Sequence, residues 1–257
     1  MLRRLDLAAA MTALAAPIAA HAEPTQAQKD QWAKEGEDRL HNDWAWLGKY
    51  QEANAALPGR GKEPRIVFMG DSLTQGWFDQ VPEFFTAGRV GRGISGQTTP
   101  QMLLRFRQDV IDLHPSVVQI LAGTNDIASN TGPMTIEQTK ANFRSMTEMA
   151  QAHGVRVILA SILPASAFPW RPGLAVTEKI ETINAWLKQY AAETGSTYAD
   201  YWTPLQDGNG GFHAGWASDG VHPNKAGYAV MIPVAQKAIR EALAKPAPKP
   251  IAIADKP

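Results

Sequence analysis

Three short apolar runs, each closed by a small residue and separated by helical patterns, constrain this chain more than any other feature. Arg65-Ile66-Val67-Phe68-Met69 ends at Gly70, Val117-Val118-Gln119-Ile120-Leu121 ends at Gly123, and Val155-Arg156-Val157-Ile158-Leu159-Ala160 ends near Ser161. Runs of this length and composition read as buried strands. Helical patterns span Pro100 to Leu113, Thr135 to His153, Val176 to Thr194 and Lys225 to Ala244, and weaker strand patterns lie around Gly88 to Gly91 and Ser196 to Tyr201. Strands alternating with helices predict an α/β fold, a parallel sheet covered on both faces. Ligands bind such sheets beyond the carboxyl ends of the strands, so the residues just after each run are the ones to inspect.

A chain of 257 residues, 44% hydrophobic, is long enough for one good-sized core. Its start carries an address: Arg3 and Arg4, an apolar stretch from Leu7 to Ala20, then Ala20-His21-Ala22. That is the pattern of a secretory signal peptide over residues 1–22. The stretch falls short of the roughly 20 apolar residues of a membrane span, and Pro17 interrupts it. Residues 23–62 are expected as an N-terminal helical extension in which Trp44, Leu47 and Tyr50 share a face. Residues 63–244 are expected to form the main folded domain, and 245–257, rich in Pro, Ala and Lys, a disordered tail. The expected product is exported, periplasmic or secreted.

Acidic and basic residues balance at 25 each, which gives no footprint for nucleic acid or an anionic membrane. With no cysteine there is no disulfide framework, thiol nucleophile or thiolate metal site. No histidine pair has i, i+4 ligand spacing, so neither a metal nor any other cofactor is expected. The expected partner is a small or neutral molecule, with no nucleic acid and no membrane span.

Four short segments fall where strand ends meet loops: Gly70-Asp71-Ser72-Leu73-Thr74, Gly93-Ile94-Ser95-Gly96-Gln97-Thr98-Thr99, Gly123-Thr124-Asn125-Asp126 and Asp219-Gly220-Val221-His222-Pro223-Asn224. A serine hydroxyl needs a base within hydrogen-bond reach, itself oriented by a third group. Asp219 and His222 are separated by two residues in a glycine-containing turn, so the carboxylate can bond one ring nitrogen and leave the other for Ser72. Pro223 biases His222 away from helical geometry, and Asn224 can cap the helix that follows. Ester cleavage also needs donors aimed at the developing oxyanion. Ser72 and Gly96 can offer backbone N–H groups and Asn125 its side-chain amide, with Gly93 in the same loop an alternative to Gly96.

Together these segments resemble the four motif blocks of the SGNH hydrolases, or GDSL esterases and lipases, in order and spacing over roughly residues 65–235. The resemblance implies a three-layer α/β/α, flavodoxin-like fold with a five-stranded parallel sheet. It also implies Ser72 as nucleophile, His222 as base, Asp219 as its orienter, and Ser72, Gly96 and Asn125 as the oxyanion hole.

Plainer roles suit several neighbours. Gly91, Gly93 and Gly96 match a dinucleotide-binding spacing, but no convincing apolar strand precedes them and no acidic residue follows at the required distance. Asp71 and Asp126 read as turn supports. His213 rivals His222 but has no carboxylate at matching spacing. Trp77, Trp170, Trp202 and Trp216 fall near the crevice segments. Each alone reads as core, yet together they suggest a ring-stacking platform, with Trp170 the one expected to face substrate and Trp77 and Trp216 beside it. The expected function is therefore a serine esterase acting on short acyl esters of a carbohydrate or other polar alcohol. A lysophospholipase-like lipid esterase, acyl transfer to or from a cell-envelope polysaccharide, and a non-catalytic carbohydrate-binding module are the alternatives.

Overall fold

The computed structural model describes residues 25–59, 61–86 and 88–251. The expected signal peptide lies outside the described residues. Five strands, β1 (Ile66–Gly70), β2 (Arg89–Gly93), β3 (Val117–Leu121), β4 (Arg156–Ala160) and β5 (Thr197–Ala199), form one all-parallel sheet in the order β2-β1-β3-β4-β5. The helices in chain order are α1 (Gln26–Asn42), α2 (Gln51–Ala55), α3 (Ser72–Gln80), α4 (Thr99–Asp109), α5 (Thr124–Ile127), α6 (Ile136–Ala152), α7 (Thr177–Glu193), α8 (Trp202–Leu205) and α9 (Lys225–Ala244).

Successive strand side chains point to opposite faces, and here both faces are apolar. Val67, Met69, Val118, Ile120, Val157 and Leu159 pack with Met102 and Phe106 of α4, Phe143 and Met146 of α6, and Ile180, Ile183 and Leu187 of α7. Ile66, Phe68, Leu121, Ile158 and Ala160 pack with Leu73 and Trp77 of α3 and Tyr228, Met231 and Ala235 of α9. This gives the three-layer α/β/α architecture. It corrects one expectation: Trp77 is fully buried, stacked between Phe84 (ring centroids 4.7 Å apart) and Tyr228 (5.7 Å), and belongs to the core instead of a substrate platform.

The described residues divide into two compact units that part between Asn42 and Asp43. In the first, α1 is mostly polar, with Trp32 and Leu40 exposed on it and pairs such as Gln26 to Asp30 and Gln31 to Glu35 along it. The expected extension over 23–62 is thus split. Asp43 ends the helical run by accepting from the N–H groups of Leu47 (2.7 Å) and Gly48 (2.9 Å), and Trp46 turns the chain at φ 53°. From there the chain belongs to the second unit, because Gln97 donates to Ala45 O (2.8 Å), Gln101 to Trp44 O (2.7 Å), and the Tyr50 hydroxyl to Gly93 O. Disorder was expected from 245 onward. The described part, up to Ile251, instead lies against the body through Arg156 Nε to Lys245 O (2.8 Å) and Ile251 N–H to Ala152 O (2.9 Å).

One buried charge ties the carboxyl ends of β1 and β2 together. Arg105, fully buried on α4, donates to Asp109 (3.0 Å), Gln97 Oε1 (2.6 Å), Gly70 O (2.9 Å) and Arg92 O (3.0 Å). Removing the guanidinium leaves the buried Asp109 carboxylate without its cation. Arg105→Ala is therefore expected to lower stability by about 3–5 kcal/mol. Urea unfolding at pH 7 checks this, and a loss below about 1 kcal/mol would mean that the pair is dispensable.

Candidate active site

The strand order reverses between β1 and β3, and the four segments converge at that switch point. Each is set by local chemistry. Asp71 caps α3, accepting from Leu73 N–H at 2.9 Å, so that Ser72 becomes the first residue of the helix. Gly93, at the end of β2, lies against the start of α3. A Cβ there would sit 2.2 Å from the Gln75 nitrogen, so only glycine allows this approach. Gly96 turns the next loop at φ 77° with open space on its side-chain side. Asn224 caps α9 by accepting from the N–H groups of Ala226 (2.9 Å) and Gly227 (3.2 Å), which fixes the loop carrying Asp219 and His222.

Ser72 Oγ lies 2.9 Å from His222 Nε2, and His222 Nδ1 lies 2.7 Å from Asp219 Oδ2. A carboxylate only accepts, so Nδ1 carries the ring proton and Nε2 is left to accept from the serine hydroxyl. The other oxygen of Asp219 accepts from the backbone N–H groups of His222 (2.8 Å) and Val221 (3.0 Å). Burial pushes the Asp219 carboxyl up, but the His222 and Val221 hydrogen bonds outweigh it and hold the group below the usual carboxylate range. The histidine therefore faces a charged partner on one side and a hydroxyl on the other.

Asn125 is buried on α5, and its amide donates to Gln97 O (3.0 Å) and, more loosely, to Asp71 Oδ2 (3.3 Å). Among the described residues, no group accepts from the backbone N–H of Ser72 or of Gly96. Asp126 accepts from Thr99 N–H (3.0 Å), the Thr99 hydroxyl and Thr139 Oγ1 (3.3 Å), which makes it the support that its sequence context suggests.

The remaining tryptophans separate. Trp170 stacks on Phe168 at 5.1 Å and lies 6.2 Å from the His222 ring, at the edge of a cavity of about 450 Å³ lined by Ser129, Arg171, Pro172 and Leu174. Trp216 is partly buried, edge-on to His213 at 4.7 Å, and its carbonyl accepts from Asn224 N–H. Trp202 packs against the α7 side of the core, its backbone N–H donating to Ser161 Oγ at 2.9 Å. His213 is exposed and pairs with Trp216. A larger cavity of about 670 Å³ opens beside Arg65, Arg89 and Arg156. These residues stand at the amino ends of β1, β2 and β4, away from the end of the sheet where Ser72 sits.

Sequence reasoning missed Asn130, whose amide meets Asn125, and Arg105 with Gln97. Arg105 could have been found, because it and Asp109 sit at i, i+4 within the apolar stripe of Met102 and Phe106. Asn130 had no such pattern around it.

The family model for the GDSL-like lipase/acylhydrolase family matches residues 68–230. The chain belongs to this family, a class of carboxylic ester hydrolases. It is 44% identical to a GDSL-like lipase of known structure from Bacteroides thetaiotaomicron, with 78% of this chain and 100% of that chain covered and a TM-score of 0.75. The uncharacterized lipoprotein YqeF of Bacillus subtilis is 35% identical over 128 residues, 43% of this chain and 52% of that protein, so the match spans about half the relative's length. The human isoamyl acetate-hydrolyzing esterase 1 homolog is 26% identical over 194 residues, 64% of this chain and 76% of that protein. Among the described residues, no helix is long and apolar enough to cross a membrane.

Asp71 generates a pH prediction. Burial pushes its carboxyl up to about 7, the Leu73 N–H and His222 oppose the rise, and Asp126 adds to it. The folded chain thus holds this proton at pH values where the unfolded chain has released it. Stability from this group is full below about pH 4 and is lost as pH rises to about 7, a loss on the order of 4 kcal/mol. Asp71→Asn cannot ionise and is expected to flatten that fall. Urea midpoints at pH 5 and pH 8 for both proteins provide the check, and an equal decline in the two would refute the assignment.

Proposed function

We propose that this protein is a serine esterase that cleaves short acyl esters of a polar alcohol, with a carbohydrate the favoured class. The observation that carries the reading is the unbroken relay from Ser72 Oγ through His222 to Asp219, at 2.9 and 2.7 Å. In this reading the Ser72 oxygen attacks the ester carbonyl while its proton passes to His222 Nε2, and Asp219 stabilises the imidazolium that results. The carbonyl oxygen, now negative, meets the N–H groups of Ser72 and Gly96 and the amide of Asn125. The second amide hydrogen of Asn125, which reaches Asp71 only at 3.3 Å, is the one left for it. Collapse expels the alcohol, which takes the proton from His222. Water then repeats the sequence on the acyl-Ser72 ester and restores the enzyme.

Trp170 supports the choice of alcohol. It is 39% exposed, held flat against Phe168, and it stands beside the imidazole, where a sugar ring can stack. The cavity next to it is open and mixes Ser129 and Arg171 with Pro172 and Leu174, which suits a polar group better than a long acyl chain. Residues 1–22 support export, with the hydrolase domain beginning at Asp43 in the mature chain.

Ser72→Ala should lower kcat by about 10⁶-fold, the loss seen when a nucleophile is removed from such a relay, with the thermal midpoint little changed. Residual turnover within tenfold of the parent would exclude Ser72 as the nucleophile. The substrate class is tested with 4-nitrophenyl esters of rising acyl length beside an acetylated oligosaccharide. Rates should peak between acetyl and butyryl, and the oligosaccharide should release acetate. A steady climb beyond about eight carbons, each buried CH₂ adding roughly 0.8 kcal/mol, would replace the sugar reading with a lipid tunnel.

A further inference from the structure

We propose that Asn130 is a positioning residue of the oxyanion hole, one that fixes the orientation of the Asn125 amide and couples it to Trp170 at the wall of the cleft. The proposal rests on the reading of Asn125 as an oxyanion donor and adds the group that makes it one.

Asn125 is useful only in one of its two amide orientations, since the flipped form would turn an oxygen toward the developing negative charge. Three hydrogen bonds in series decide which orientation it takes. The Trp170 indole N–H can only donate, and it donates to Asn130 Oδ1 at 3.1 Å. With its oxygen committed there, Asn130 turns Nδ2 toward Asn125 and donates to Asn125 Oδ1 at 2.7 Å. The Asn125 oxygen is thereby held on the Asn130 side, and its Nδ2 must face the opposite way, toward Gln97 O and Asp71 Oδ2, which both accept. Each link excludes the flip of the next, and the polarity of the series is set by an indole that cannot reverse.

The loop is built to hold Asn130 in place. The backbone N–H of Asn130 donates to Asn125 O at 3.1 Å, so the two residues are clamped through main chain as well as side chain. Ser129, just before it, takes a left-handed φ of 55°, which reverses the chain over the end of α5. Its carbonyl accepts from Arg171 Nη2 at 3.1 Å, so the Asn130 loop and the Trp170 loop are joined at two points. Trp170 also lies beside the imidazole, the two ring centroids 6.2 Å apart. A ligand that stacks on Trp170 and steadies it therefore also steadies the amide that serves the reaction.

The test is a double-mutant cycle on the full chain, with kcat and KM measured on a short-chain ester and with the thermal midpoint followed in parallel. Asn125→Ala should lower kcat by about 10²–10³. Asn130→Ala should lower kcat about tenfold with KM little changed and the melting temperature held, because the side chain is exposed and packs in no core. Asn130→Asp keeps the shape but sets an acceptor against the Asn125 oxygen, so it should fall further than the alanine variant. In the Asn125→Ala background both Asn130 substitutions should be silent, a non-additivity that a merely structural role would not produce. Trp170→Phe, which keeps a ring but lacks the N–H, should lose activity less than Asn130→Ala and lose nothing further when combined with it. If Asn125→Ala is costly and Asn130→Ala retains the parent kcat, or if the two losses simply multiply, the positioning role is overturned while the oxyanion reading stands. If Asn125→Ala itself leaves kcat unchanged, the oxyanion reading fails and the proposal fails with it.

Discussion

A single buried guanidinium holds the ends of two strands and the loop between them and α4. Arg105 bonds the last carbonyl of β1, a carbonyl of β2 and the side chain of Gln97, with Asp109 as its counter-charge. A charge without solvent is costly unless it is paired and all its donors are used. That requirement is what makes it a good fixture: the guanidinium has a rigid planar fork, so the acceptors around it must sit where the fork points. The main chain of Gln97, anchored in this way, is in turn what Asn125 bonds. Stability and preorganisation at this end of the sheet thus rest on the same interaction.

The two halves of the site are assembled on different principles. His222 and Asp219 come from one turn, three residues apart, and their geometry is local: two backbone N–H groups hold the carboxylate and an Asn224 cap holds the turn. Ser72, Gly96 and Asn125 follow three different strands and meet because β2, β1 and β3 are neighbours in the sheet. A local motif can be adjusted without disturbing the core. Positions set by strand order cannot, so the three proposed oxyanion donors sit on the part of the fold least able to move.

This division also explains what could be read in the sequence. The strands were legible because both sheet faces are buried, so β1, β3 and β4 appear as continuous apolar runs. β2 was faint because its Gly91 and Gly93 answer to the close approach of α3, not to propensity, and β5 because only three residues pair. Ser72 and Asn125 stood out because their residue types sit just past the ends of β1 and β3, and Asp219 and His222 because they share one glycine-containing turn just before α9. Trp77 misled for the opposite reason: it lies five residues past Ser72, yet helical geometry turns it away from the cleft and into the layer shared with α9. The boundary at Asp43 shows in the sequence of 23–62 only as a shift from the mostly polar 23–42 to a stretch carrying Trp44, Trp46, Leu47, Tyr50 and Leu57. What separates its parts is a set of long-range bonds from Tyr50, Gln97 and Gln101, which no local pattern announces.

Asn130 belongs to the same class of hidden residue. Its side chain is polar on a polar loop, so its type carries no information, and it gains meaning only from what stands on either side of it. Between an indole that can only donate and an amide that must point one way, a second amide is the simplest side chain that can pass on the polarity, since it carries one acceptor and one donor group on a rigid plane. Serine could accept or donate with less reach, and a carboxylate could not donate at all. The residue is thus specified by the orders of its neighbours, and a site of this kind is found by following hydrogen-bond direction outward from the reacting atoms.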